Sequence, residues 1–293
     1  MYKLTITNVQ NGYSLDFNNP SSPFIITEIL GLDPPDATIN IDEYAVIDGG
    51  FYNSSKANYR QMQIAFAIDY DAAASRQKVY RVLKPGRKVR IDYSDQQGLK
   101  VYTEGYVGKP TIDHFAIKQT CVVAIECPES YWQAAESIIN AFYSITNMFH
   151  FPFASEEDPG DVIFGEKVLH DQMIITNDGN ISIGFRVSLL FKDALSTGIT
   201  LSNVDTGDTI VMTWSAGFIL AHDIVVIDTR PNNRSVTLVR GGVESSIFYR
   251  IDFSNSTNFP MLNPGDNLIK VDVTTTGEIP DIELTERLLY EGV

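Results

Sequence analysis

The chain has 293 residues, 44% hydrophobic and 20% charged; that length favours two domains over one, and that apolar content excludes wholesale disorder. Its formal charge of −15 is uneven: 13 basic residues stand against 16 acidic ones in 1–150, and 9 against 21 in 151–293. An acidic second half argues against a nucleic-acid grip there, because phosphate binding needs clustered cations.

From the start of the chain, Met1-Tyr2-Lys3-Leu4-Thr5-Ile6-Thr7-Asn8 alternates polar and apolar residues and reads as a strand over Tyr2–Val9, not as a signal peptide. A cytoplasmic origin is therefore expected, in which the Asn-x-Ser/Thr triplets at Asn53, Asn180, Asn233 and Asn255 carry no weight. No stretch is long and apolar enough to span a bilayer, so no membrane partner is expected. Phe24–Leu30 reads as a further strand. Met62, Ile64, Phe66 and Ile68 then alternate with Gln61, Gln63, Ala65 and Ala67, the pattern of a half-buried strand. A helix is predicted from about Ala72 to Leu83, with Asp71 as N-cap and Val79 and Leu83 one turn apart. Lys84-Pro85-Gly86 ends it, since the residue before proline avoids helical geometry and glycine suits the exit.

Strands follow at Lys88–Tyr93 and Leu99–Val107, then at Cys121, Val123, Ile125 and Cys127. The two cysteines share one strand face but sit roughly 20 Å apart by strand rise, beyond disulfide reach, and read as core thiols. Ser130-Tyr131-Trp132-Gln133 fits a capping box, which predicts a second helix to about Tyr143. Residues 149–165 break the pattern with Pro, Gly and acids and read as a linker between domains 1–148 and 166–293. Beyond it, Ile181, Ile183, Phe185, Val187 and Leu189 alternate in one long strand. Shorter strands are expected at Ile199–Val204, Thr209–Trp214, Asp223–Asp228, Ser235–Arg240, Ser246–Phe253 and Asn267–Val273, which suggests a β-sandwich or jelly roll.

Catalytic motifs are missing from the sequence: no Gly-x-Ser-x-Gly elbow, no Gly-rich phosphate loop, no His-Glu-x-x-His and no Cys-x-x-Cys. His114, His150, His170 and His222 lack metal-ligand spacing, so no metal, cofactor or catalytic residue is assigned and no enzyme is expected. Asp205 and Asp208 are the closest carboxylate pair in a loop, but Asp-Thr-Gly-Asp is also ordinary turn composition. The distinctive charge feature is Arg76, Lys78, Arg81, Lys84, Arg87, Lys88 and Arg90, with no acid between Asp71 and Asp92. Such a run suits a phosphate-binding face, a solvated helix face, or a face neutralised by an acidic neighbouring subunit. Arg76, Arg81, Arg87 and Arg90 are the candidates for subunit contact or for a ring lumen.

Gly49-Gly50-Phe51-Tyr52, the strand ending Ile68-Asp69-Tyr70, the short helix with Arg76, Tyr80 and Leu83, and the Pro-Gly break come in a characteristic order. They are followed by Val89-Arg90-Ile91-Asp92-Tyr93, Glu104-Gly105-Tyr106-Val107 and Cys127-Pro128-Glu129-Ser130-Tyr131-Trp132. In that order the first half resembles the N-terminal domain of the siphophage distal tail (Dit) protein family. The second half is similar to the family's galectin-like sandwich through Asn177-Asp178-Gly179-Asn180, Gly207-Asp208 and Asn263-Pro264-Gly265-Asp266-Asn267. The resemblance implies a mainly β chain, with a β-sandwich-like ring (belt) domain bearing a short helix and a C-terminal galectin-like β-sandwich. It further implies a structural protein of the virion, at the phage tail tip or baseplate, assembled as a homohexameric ring. Its implied partners are the major tail protein, the tail-associated lysin-like tip protein and the receptor-binding protein, with DNA only in transit through the ring.

Two other readings compete. One is a carbohydrate-binding β-sandwich that recognises host cell-wall glycan; the other is a polysaccharide-cleaving enzyme on a β scaffold. Sugar binding asks for exposed stacking aromatics, and Trp214, the one tryptophan of the second half, alternates with Ile210 and Met212 toward the core. Asn232-Asn233-Arg234 follows Arg230-Pro231 and reads as a hairpin turn, not as a sugar motif. The galectin-like half is therefore expected to dock protein and to lack a sugar site of the galectin kind.

Overall fold

Period-two alternation builds most of the chain, which is mainly β. The computed structural model describes residues 2–17, 19–147 and 165–293. It divides the chain into one unit of residues 1–136 with 289–293 and a second of residues 137–288. Within the expected linker 149–165, all but Gly165 lies outside the described residues.

The first unit comprises β1 (Lys3–Asn8), β2 (Ser14–Phe17), β3 (Phe24–Leu30), β4 (Ala37–Glu43), β5 (Gly50–Ala57), β6 (Arg60–Ile68), α1 (Ala72–Val82), β7 (Lys88–Ser94), β8 (Lys100–Val107), β9 (Thr111–Ile112), β10 (Gln119–Cys127) and β11 (Trp132–Ala134). Its main antiparallel sheet runs β2-β1-β7-β8-β10-β6-β3, with β11 on β8 and the returning Leu289–Tyr290 on β11. Alternation sends Leu4, Ile6, Ile64, Phe66, Val123 and Ile125 into one core, all fully buried. The end strands β2 and β3 follow each other in sequence. Phe17 packs 6.0 Å from Phe24 and 5.0 Å from Phe66, so the sheet curls until its ends meet over an aromatic cluster. Cys121 and Cys127 are free and buried, and burial pushes their thiols up to about 12 and about 11.

The first helix forms where expected, burying Val79 and Val82. Asp71 does not cap it through its side chain. Its backbone is left-handed, φ 47°, and no side-chain capping bond forms; its carbonyl instead accepts the Ser75 N–H at 2.9 Å. The second helix is absent. Over 130–143 the chain forms β11 and β12 (Ile138–Ala141) and enters β13 (Tyr143–Asn147). Two free strand edges decide this: Gln133 pairs with Tyr102 on one side and Leu289 on the other. The apolar and aromatic residues here lose little in a strand, and Trp132 is fully buried by it.

One buried arginine ties the first unit together. Arg60, 1% exposed, donates Nη1 to the carbonyls of Gly31 (2.5 Å) and Asp33 (2.7 Å), Nε to Ser130 (3.2 Å) and Nη2 to Glu291 (2.5 Å). Its guanidinium also stacks 5.3 Å from the Trp132 ring centroid. Burial lowers its pKa, opposed by nearby Cys127 and Asp33, yet a guanidinium starts so far above neutrality that it stays charged.

The second unit adds β14 (Gly165–Leu169), β15 (Gln172–Asn177), β16 (Arg186–Leu190), β17 (Ser196–Asn203), β18 (Asp208–Thr213), β19 (Ile224–Asp228), β20 (Ser235–Arg240), β21 (Val243–Ser246), β22 (Gly265–Thr275) and β23 (Asp281–Glu286). A six-stranded sheet runs β12-β23-β16-β19-β20-β21 and a four-stranded one β15-β22-β17-β18, while β13 pairs with β14. Alternating residues such as Val187, Leu189, Leu201, Ile210, Ile269 and Val271 form the core of this sandwich. The expected strand from Ile181 starts only at Arg186: before it, Ile183 bridges Leu262 and the Phe185 N–H donates to the Thr229 hydroxyl, while Gly184 lies against the backbone of Arg230, where a side chain would clash. The expected strand Ser246–Phe253 is likewise interrupted. Ile247 donates to Val236 and is buried, a 3-10 turn follows at Phe248–Arg250, and Asp252 then bonds to Val211. The chain is crossing from one sheet to the other there, which a continuous strand could not do.

The turn motifs of this half act through buried asparagines. Asn177 donates to the carbonyls of Ile181 (2.8 Å) and Leu262 (3.0 Å), and Asn203 to those of Met261 (2.7 Å) and Asn267 Oδ1 (3.2 Å). Asn267 in turn holds the carbonyls of Asn263 and Gly265.

Candidate functional site

The most unusual surface is an arm formed by β4 and β5. These strands pair with each other from Ala37↔Ala57 to Glu43↔Gly50, and with no other strand among the described residues. Every residue from 36 to 56 is exposed. The sequence nevertheless places Ile39, Ile41, Tyr44, Phe51 and Tyr52 on it, with Val46 94% and Ile47 73% exposed at the tip. Local bonds hold its shape: Asn40 Nδ2 to Ser54 Oγ at 2.9 Å, Tyr44 N–H to the Gly49 carbonyl at 3.1 Å, and the Tyr44 and Phe51 rings 5.8 Å apart. Gly49 sits at φ 104°, which the turn requires. An isolated two-stranded hairpin is marginal in water, and contiguous apolar residues on a surface mark an interaction site.

The basic run is split by the fold. Arg76 points Nη1 at Gln119 Oε1 (2.7 Å). Arg90 bonds Asp92 at 2.8 Å and stacks 3.8 Å over Tyr102. Lys88 pairs with Glu104 at 2.6 Å, and that hydrogen bond raises its pKa. Arg81, Lys84 and Arg87 are exposed and have no carboxylate partner among the described residues. Arg81 lines a groove of about 460 Å³ with Tyr13, Ala74, Gln77 and Lys78. Of the four candidate arginines, the helix and its exit turn present Arg81 and Arg87 outward, while Arg76 and Arg90 are occupied by neighbours. The arm tip carries Asp42, Glu43 and Asp48 beside its apolar residues, a charge opposite to that of the groove.

Elsewhere, Asp205 and Asp208 lie in the β17–β18 turn, where Asp205 Oδ2 accepts the Leu268 N–H at 2.7 Å. Trp214 is 6% exposed and donates Nε1 to the Ser196 carbonyl at 3.0 Å. Asn232, at φ 67°, and Asn233, bonded to the Arg230 carbonyl, form the turn between β19 and β20. Among the described residues no group of three or more His, Cys, Asp or Glu side chains is placed to hold a metal, and His150 lies outside them. No helix of the described residues is long and apolar enough to cross a membrane. Sequence reasoning placed Gly49 to Tyr52 in a motif but missed the arm itself. Arg60 was missed too, since its partners are backbone carbonyls that no side-chain pattern announces.

No protein-family model matches the chain, and no curated protein does. Among solved structures, the chain is similar to the Dit protein of phage SPP1, described as a paradigm of the hub adsorption apparatus of phages infecting Gram-positive hosts. The two are 12% identical, with a TM-score of 0.63 over 97% of this chain and 99% of that one. It is also similar to chains of the phage P2 baseplate in its activated conformation with Ca and with Sr, each 12% identical at a TM-score of 0.50 over all of both chains. The chain therefore has the mainly β fold of these distal tail and baseplate proteins.

Proposed function

We propose that this protein is a structural hub of a phage tail tip or baseplate, whose copies close into a homohexameric ring through the first unit. The observation that carries the reading is the arm, on a chain with this fold. Its exposed apolar residues require a cover, and a second copy supplies one, with acidic arm tip facing basic helix groove. Each subunit then offers two different faces, the arrangement that closes a head-to-tail ring. In the assembled virion the ring joins the major tail protein to a tail-associated lysin-like tip protein and to receptor-binding protein, and DNA passes through it. The first unit, residues 1–136 with 289–293, is the ring former, and the second, residues 137–288, is the docking domain. The lectin reading loses its stacking tryptophan, because Trp214 is in the core.

The test is mass in solution. The full chain should reach six times 32.7 kDa, and a Val46→Asp, Ile47→Asp variant should be monomeric with unchanged melting of the first unit. A chain that stays monomeric at every concentration would refute the ring; a hexamer indifferent to those two substitutions would remove the arm from it.

A further inference from the structure

The second unit carries an open sheet edge that ends in an aromatic and basic cluster. β21 is the last strand of its sheet, and all four of its residues are exposed. Val243 pairs with Arg240 across Gly241-Gly242, and Ile247 donates to the Val236 carbonyl. In an antiparallel hairpin this parity turns the backbone N–H and C=O of Glu244 and Ser246 away from β20, with no strand among the described residues to receive them. Such an edge is a template for a further strand.

β21 runs directly into the turn Phe248–Arg250. Tyr249 and Phe253 there are each 66% exposed. The Arg250 guanidinium lies 4.3 Å from the Phe218 ring and 5.0 Å from that of Tyr249, and its buried Nε has no hydrogen-bond partner among the described residues. Phe218 is itself fixed, since Arg240 Nη2 holds its carbonyl at 2.7 Å while bonding Asp223. Arg234, which precedes β20 and so sits at the same end of the hairpin, stacks 5.1 Å over Phe259.

Four other cations of this unit are already paired with carboxylates. Arg230 pairs with Asp228 at 2.5 Å, Arg240 with Asp223 at 2.6 Å, Lys270 with Asp272 at 2.9 Å and Lys192 with Asp281 at 3.1 Å. Among the described residues neither Arg234 nor Arg250 has a carboxylate partner, although the unit is strongly acidic. A guanidinium oriented by aromatic faces and lacking an anion is one half of a charge-assisted carboxylate contact.

We propose that the β21 edge and the Tyr249–Arg250 cluster form a docking site for an extended peptide segment of a partner protein, which adds a strand to β21 and seats a carboxylate on Arg250. Main-chain bonds to Glu244 and Ser246 supply affinity, and the carboxylate sets register. A saccharide would use the exposed rings but leave those backbone groups unmet, so the peptide is the occupant the geometry favours. The site does not depend on ring formation.

The test is selection of a library of extended eight-residue peptides on the full chain, read by the composition enriched and by amide hydrogen exchange. Asp- and Glu-bearing members should be enriched at least tenfold over their Lys counterparts, and should protect the Glu244 and Ser246 amides. Arg250→Gln should abolish the acidic preference. Glu244→Pro, which removes only an outward N–H and is tolerated at an edge, should abolish binding at unchanged melting temperature. Enrichment without acids, protection elsewhere, binding that survives both variants, no enrichment at all, or saturation by a neutral oligosaccharide instead would each overturn the proposal.

Discussion

Replacing Arg60 by alanine should unfasten the first unit at one identifiable place. The side chain satisfies four backbone carbonyls on three segments besides its own strand: the loop after β3, the loop before β11 and the returning residues 289–293. A hydrogen bond to a charged group contributes about 1.5–3 kcal/mol. The four do not add, because desolvating the guanidinium opposes them and carbonyls near the surface regain water. A net loss of about 4 kcal/mol is expected, enough to lower melting by about 10 °C in a unit of this size. The local signature is sharper than the global one. The Glu291 carbonyl loses its donor, so the pairing of Trp132 with Tyr290 and the Val293 N–H to the Leu32 carbonyl should open. Amide exchange at 290 and 293 should accelerate at least tenfold, while β6 and β10 stay protected. Arg60→Lys should recover less than half of the loss, as one ammonium cannot span those acceptors or stack on Trp132. A loss under about 1 kcal/mol, or a tail whose protection is unchanged, would show that the hydrophobic core alone holds the unit closed.

A second buried charge makes stability depend on pH. Glu286 is 3% exposed, with Oε1 bonded to Asn140 Nδ2 at 3.2 Å and Oε2 unpartnered, and burial raises its pKa to about 7, with Asp178 adding to the rise. The folded state therefore holds this proton more tightly than the unfolded chain. The contribution of Glu286 to stability is greatest below its unfolded carboxyl value and is lost as pH rises through about 7, by about 3 kcal/mol in all. Glu286→Gln should raise melting clearly at pH 8 and little at pH 4; an equal shift at both would refute the linkage. In the ring, Arg81→Glu with Arg87→Glu should weaken assembly at least tenfold, since these exposed cations would face acidic arm tips. A hexamer equally stable in the variant and across a salt series would refute that contact.

Legibility followed the physics of each element. β3, β20 and α1 were readable because one face of each meets a core, so burial imprints its period on the residues: Val79 and Val82 on the helix, Val236 and Leu238 on the strand. The stretch 130–143 misled because its opening satisfies a local capping rule, while the deciding partners, Tyr102 and Leu289, lie far away in sequence. The arm was unreadable for a different reason. Ile39 and Ile41 share one strand with Thr38 and Asn40, an alternation that normally signals one buried face, yet every residue of β4 is exposed. Selection for apolar side chains without an internal core to receive them is what an external core would leave in the sequence. If a neighbouring copy provides it, the alternation of β4 records burial in the assembly, and the face bearing Ile39 and Ile41 should be the one protected from side-chain surface labelling when the ring forms. Protection of the opposite face, with Ile39 and Ile41 still open to label in the hexamer, would show that the pattern has another origin.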